Sequence, residues 1–287
     1  MSEFRVHRWT SHDGLSLYSR VYDEAPASAL AVLCLPGLTR NSRDFERLAP
    51  HLARRFRIIC PDLRGRGCSE RDPNWRNYHP GSYVNDLSAL LLDLGISRVA
   101  IIGTSLGGLL AMMLPSVVRD AVAGIVLNDI GPEIDPAGAA RIAGYAGRLR
   151  PVTTWAQAVA QTREVYGSAW PGLPDSMWIE LARRSYREDT DGVPVLDVDP
   201  MVGEALRNLP SSTPDLWPLF AALDSIPMLA IRGALSDILS EATFSRMQRE
   251  KPDLVRLQVV NRGHVPLLDE TECLAAIDTF LARVNQP

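Results

Sequence analysis

Gly103-Thr104-Ser105-Leu106-Gly107-Gly108 is the stretch that decides how this chain folds. Before it runs Arg98-Val99-Ala100-Ile101-Ile102, an apolar, β-branched segment that reads as a buried strand. After it runs Leu109-Leu110-Ala111-Met112-Met113-Leu114, made of good helix formers. A serine between the two, flanked by Gly103 and Gly107, fits a strand–turn–helix elbow that presents a nucleophile. So tight a turn strains the serine backbone, and a side chain at either glycine would crowd neighbouring backbone. In return the hydroxyl stands at the carboxyl edge of the sheet. The Leu106 N–H, at the start of the helix, faces the same space and can stabilise an oxyanion.

With 287 residues, 46% of them hydrophobic, the chain can bury the core of one α/β domain carrying an insertion. A net charge of -4 supplies no basic face for nucleic acid or an anionic membrane, so the expected partner is a small-molecule substrate. Cys34, Cys60, Cys68 and Cys273 lack metal-ligand spacing and read as reduced, mostly buried thiols of a cytoplasmic protein. No metal and no cofactor are expected. Met1 to Arg5 begins no apolar signal stretch. Val99 to Val118 imitates a membrane span in length, but its glycines, Ser105 and Pro115 assign it to a buried strand and helix. No coiled-coil pattern specifies an oligomeric state.

Outward from the elbow, strand and helix alternate. Phe4–Trp9 and Leu15–Tyr22 alternate around the turn Ser11-His12-Asp13-Gly14 and predict a hairpin. Ala29–Leu35 and Phe56–Cys60 read as buried strands, Asp44–Arg54 and Ser82–Leu94 as helices, and Val122–Leu127 as the strand after the elbow helix. From Ile134 to Pro214 the pattern is helical only, near Ala137–Leu149, Thr154–Tyr166, Asp175–Arg187 and Pro200–Leu209. Alternation then returns with strands at Pro227–Arg232 and Leu254–Val260 and helices at Glu241–Glu250 and Glu270–Val284. The expectation is a mostly parallel, twisted α/β sheet with helices on both faces, formed by residues 1–133 and 215–287, with a helical cap over 134–214.

A serine hydroxyl needs a base, and the base needs an acid to orient it. Of five histidines, only His264 follows the last predicted strand and so leaves the carboxyl edge of the sheet. The acid should lie between Ser105 and His264 in sequence and leave the same edge. Asp237, after Ile231-Arg232-Gly233-Ala234-Leu235-Ser236, meets both conditions and is favoured. Asp129 meets them too, although beside Gly131-Pro132 it is also placed to anchor the start of the cap. The second oxyanion donor is expected at the Leu38 amide, where Pro36-Gly37 ends the third strand.

These parts resemble the α/β-hydrolase fold superfamily, of the type with a helical cap, over almost the whole chain. The resemblance rests on Gly103-Thr104-Ser105-Leu106-Gly107, on Leu35-Pro36-Gly37-Leu38, on Asp62-Leu63-Arg64-Gly65-Arg66-Gly67 and on Gly263-His264. It implies a serine hydrolase of esters, enol-lactones or the carbon–carbon bonds of ring-cleavage products. Ser105 speaks against the haloalkane dehalogenases and epoxide hydrolases, whose elbow nucleophile is aspartate. One departure is Pro36-Gly37 where relatives often carry His-Gly, which removes a side chain that braces the loop. A fold is not a function, and a binding protein that uses the same pocket to sense a small molecule is the alternative. Cap aromatics (Tyr145, Trp155, Tyr166, Trp170, Trp178, Tyr186) are expected to pack the cap, a few lining an apolar pocket. Arg40, Arg43, Arg148 and Arg163 are the cations available for a substrate carboxylate.

Overall fold

Strands that are apolar on both faces cannot meet water on either side, so they collect in the middle of a sheet and helices cover them. The computed structural model describes residues 3–208 and 215–286 and shows this arrangement. In chain order the first half holds β1 (Arg5–Thr10), β2 (Ser16–Tyr22), β3 (Ala31–Leu35), α1 (Leu48–Leu52), β4 (Arg57–Asp62), α2 (Pro80–Asp93), β5 (Val99–Thr104), α3 (Leu106–Met113), α4 (Pro115–Val118) and β6 (Val122–Asn128). The insertion holds α5 (Pro136–Tyr145), α6 (Trp155–Tyr166), α7 (Asp175–Ser185), β7 (Tyr186–Glu188), β8 (Pro194–Leu196) and α8 (Met201–Arg207). The chain then returns to the sheet through α9 (Trp217–Ala221), β9 (Met228–Gly233), α10 (Glu241–Glu250), β10 (Val255–Val259) and α11 (Thr271–Val284).

The main sheet has eight strands in the order β1-β2-β4-β3-β5-β6-β9-β10. β1 and β2 form the antiparallel hairpin, β2 runs antiparallel to β4, and every other pairing is parallel. Side chains alternate across each strand, and β5 shows the result. Val99 and Ile101 point into one core with Leu87, Leu90 and Leu110, while Ala100 and Ile102 point into the other with Leu52, Ile277 and Phe280. β5 lies between β3 and β6, so the loops leaving these three strands meet at one edge.

Three expectations change. The helix expected over Asp44–Arg54 is a single 3-10 turn, Ser42–Phe45, followed by the short α1, with Asn41 capping the turn. The insertion is not purely helical: β7 and β8 pair antiparallel where a helix was expected to run to Arg187. Aspartate chemistry closes the turn between them, where the Asp189 carboxylate accepts the amides of Asp191 and Val193 and Gly192 takes φ +77°. α9 was not expected at all. The expected helix end at Leu209 and cap end at Pro214 lie outside the described residues. Cys34, Cys60 and Cys273 are buried and Cys68 is exposed, all as free thiols. Among the described residues no helix is long and apolar enough to cross a membrane.

Candidate active site

Ser105 sits between β5 and α3 with φ 52°, a left-handed conformation that an L-residue adopts only under constraint. The constraint is visible in its neighbours. A Cβ on Gly103 would lie 2.3 Å from the Gly107 carbonyl oxygen, and one on Gly107 would lie 2.1 Å from that of Leu35. The Ser105 amide donates to the Asn128 carbonyl oxygen at 3.0 Å, tying the elbow to the end of β6. Gly37 plays a different part. A Cβ there would make ordinary contacts, 3.5 Å from Arg40 Cγ and 3.8 Å from Ser105 Cβ, so its absence leaves room above the serine.

His264 reaches the serine from the loop after β10. The Ser105 hydroxyl donates to His264 Nε2 at 2.8 Å, and His264 Nδ1 donates to Asp129 Oδ2, also at 2.8 Å. The sequence reading favoured Asp237 for this position, and the structure puts Asp129 there instead. Asp129 follows the last residue of β6 with φ 56°, is fully buried, and accepts three hydrogen bonds. The Gly233 amide donates to Oδ1 at 2.8 Å, and the Ser236 hydroxyl joins His264 on Oδ2 at 2.6 Å. Fixed donors on every side make a buried carboxylate tolerable.

Asp237 turns away from the imidazole. It pairs with Arg141 of α5 through Nε at 2.5 Å and Nη2 at 2.8 Å, with its side chain 40% exposed. The Arg141 hydrogen bonds hold its carboxyl below the usual carboxylate range. A Cβ on Gly138 would lie 2.1 Å from the Asp237 carbonyl oxygen, so α5 packs directly on this loop. Asp237 therefore does the docking that the sequence reading gave to Asp129.

Leu38 follows the end of β3, and Leu106, the residue after Ser105, begins α3. Neither amide donates to a backbone carbonyl or a side chain among the described residues. The missing His-Gly brace has a substitute that sequence reasoning did not find. Arg66 Nε donates to the Leu38 carbonyl oxygen at 2.9 Å. Its Nη1 is held by the Arg64 carbonyl at 2.7 Å and the Tyr83 hydroxyl at 3.0 Å, and the guanidinium lies over the Tyr83 and Tyr78 rings. The only signal was the second arginine of Asp62-Leu63-Arg64-Gly65-Arg66-Gly67, whose reach a sequence does not reveal.

The pocket over Ser105 and His264 is lined by apolar groups from the cap and the His264 loop, among them Ile142, Tyr145, Tyr166, Trp170 and Val265. Arg40 and Arg184 are its cations. Arg40 is held by Asp44 and by the Ser185 hydroxyl and lies 5.8 Å from the centre of the Tyr166 ring. Arg43 instead pairs with Asp197, and Arg163 with Asp175; neither these nor Arg148 lines the pocket. Of the other cap aromatics, Trp178 packs against Trp170, Trp155 bonds Glu188, and Tyr186 bonds Gln161. Among the described residues no three His, Cys, Asp or Glu side chains gather as metal ligands.

The geometry can be set beside known proteins. The profile of the alpha/beta hydrolase fold matches residues 31–176. A 3-hydroxybutyrate-oligomer hydrolase of Cupriavidus necator is 32% identical over 266 residues, which is 89% of this chain and 89% of that protein. A 2-(acetamidomethylene)succinate hydrolase of Mesorhizobium japonicum is 25% identical over 87% of each. Among solved structures, an alpha/beta hydrolase from Novosphingobium aromaticivorans superposes with a TM-score of 0.93 at 43% identity, covering 99% of both chains.

Proposed function

The chain belongs to the α/β-hydrolase fold family and is a hydrolase, and within that class we propose a serine esterase that works through an acyl-enzyme on Ser105. One observation carries the proposal: the unbroken relay from Ser105 Oγ to His264 to Asp129, each step 2.8 Å. His264 Nε2 accepts the serine proton as Oγ attacks the ester carbonyl, and Asp129 stabilises the imidazolium that forms. The free amides of Leu38 and Leu106 hold the oxyanion of the tetrahedral intermediate. Collapse expels the alcohol, which takes its proton from His264. Water, deprotonated by the same imidazole, then releases the acid. The apolar pocket walls suit a small to medium aliphatic or aromatic ester. The relative named for 3-hydroxybutyrate oligomers supports an ester over a carbon–carbon substrate, since hydroxy-acid units join through esters.

Steady hydrolysis of short 4-nitrophenyl esters tests this reading. Ser105→Ala should lower kcat by about 10⁴-fold or more. A fluorophosphonate should label the parent protein at Ser105 and leave the variant unmodified, by intact mass. Near-parental turnover in Ser105→Ala, or a single stoichiometric event in place of steady turnover, would contradict it; the latter would favour a sensor.

A further inference from the structure

The pocket at Ser105 is small, about 70 Å³, and a second cavity of about 420 Å³ adjoins it between cap and core. Thr39, Arg40, Tyr145 and Tyr166 line both spaces and form the wall between them. Arg40 in that wall is already occupied by Asp44 and Ser185, so it is part of the wall without offering a free cation. Beyond it the second cavity is apolar, with Val152, Val165 and Leu196 on its sides, and Arg71 and Arg187 also line it.

At that end the arginines outnumber the carboxylates that pair with them. Buried Asp197 pairs with Arg43 and, at 3.3 Å, with Arg187, and it also lies within the field of Arg71. Three guanidiniums thus share one carboxylate. Arg71 makes no ion pair among the described residues. Two nearby acids, Asp62 and Asp189, form no ion pair with these arginines among the described residues. Asp189, which also lines the cavity, accepts the amides of Asp191 and Val193 through Oδ1, and Asp62, buried behind, accepts those of Ser42 and Cys68.

We propose that the second cavity holds the far end of the substrate, and that this end is a carboxylate. The substrate class is then a linear aliphatic ester with its scissile bond at Ser105, an apolar stem running past Tyr145 and Tyr166, and a free carboxylate at Arg71 and Arg187. The inference rests on the esterase reading above. An arginine pair is suited to a terminal carboxylate because its planar donors match the two oxygens.

The test compares charged with neutral esters of equal length, at a pH where carboxylates are ionised. One arm uses 4-nitrophenyl monoesters of linear dicarboxylic acids against 4-nitrophenyl alkanoates. A second arm uses acetylated ω-hydroxyalkanoates against acetylated alkanols, which tells whether the tail belongs to the acyl or the alcohol part. In at least one arm kcat/KM should favour the charged ester by about tenfold or more at a preferred length, the size of one charge-assisted contact. Arg71→Gln with Arg187→Gln should remove most of that preference. Val165→Trp, which fills the second cavity, should move the preferred length to shorter chains. A charged-to-neutral ratio at or below one in both arms, or a preference indifferent to both variants, would overturn the inference. Failure to hydrolyse any ester, 4-nitrophenyl acetate included, would instead overturn the esterase reading and this inference with it.

Discussion

Arg66 is placed to act on the proposed oxyanion site without lining the pocket at Ser105. It is 1% exposed, and its bond to the Leu38 carbonyl holds the residue whose amide is proposed as an oxyanion donor. Arg66→Met keeps the stem over Tyr83 and loses the donors. The expected result is a kcat lowered by about 10-fold to 10³-fold, the range for a weakened oxyanion donor, with KM changed far less. Arg66→Lys should recover part of the loss, because an ammonium can still donate to that carbonyl. Equal losses in kcat and 1/KM, with no recovery by lysine, would show a structural role only. No periodicity in the sequence marks Arg66, because its partners at Leu38 and Tyr83 are distant along the chain.

Arg64, two residues earlier, joins elements. Its side chain is 2% exposed and meets three carboxylates: Asp13 of the β1–β2 turn, Asp72 of the loop after β4, and Asp86 of α2. The shared guanidinium acts on them differently. Its hydrogen bond pulls Asp13, which is part-exposed, down to about 2. Burial pushes Asp86 above the usual value despite the same partner. The signs then follow. Asp13 stabilises the fold fully above the ordinary carboxylate value of about 4, and that contribution is lost as pH falls toward 2. Asp86 runs the other way, since protonation relieves a buried charge. Arg64→Met removes the cation and strands Asp72 and Asp86. Stability should fall by about 3–5 kcal/mol and then rise as pH is lowered below neutrality, more steeply than in the parent, where Arg64 still offsets part of the buried charge. Denaturant titrations from pH 4 to 8 would measure both. A loss under about 1 kcal/mol with a flat profile would show that the cluster is solvated.

At the scale of the molecule, the site exists because the parallel sheet brings the ends of β3, β5, β6 and β10 to one edge. That much could be read from the sequence: alternation gives the sheet, the glycines give the elbow, and chain order gives His264. The acid could not be read, because Asp129 and Asp237 follow adjacent strands, β6 and β9, and leave the same edge. What separates them is tertiary. Gly233 and Ser236 donate to Asp129, while Arg141 from the cap claims Asp237. The β7–β8 ribbon was hidden for another reason: three-residue strands leave too short a pattern to outweigh a helical one. Asp129→Asn and Asp237→Asn, assayed side by side on one short ester, bear most directly on the relay. The account predicts a loss on the order of 10⁴ in kcat for Asp129→Asn, since the amide cannot hold the imidazole in its working tautomer. Asp237→Asn, which weakens one part-exposed ion pair, should stay within about tenfold of the parent. A larger loss at Asp237 than at Asp129 would contradict the account.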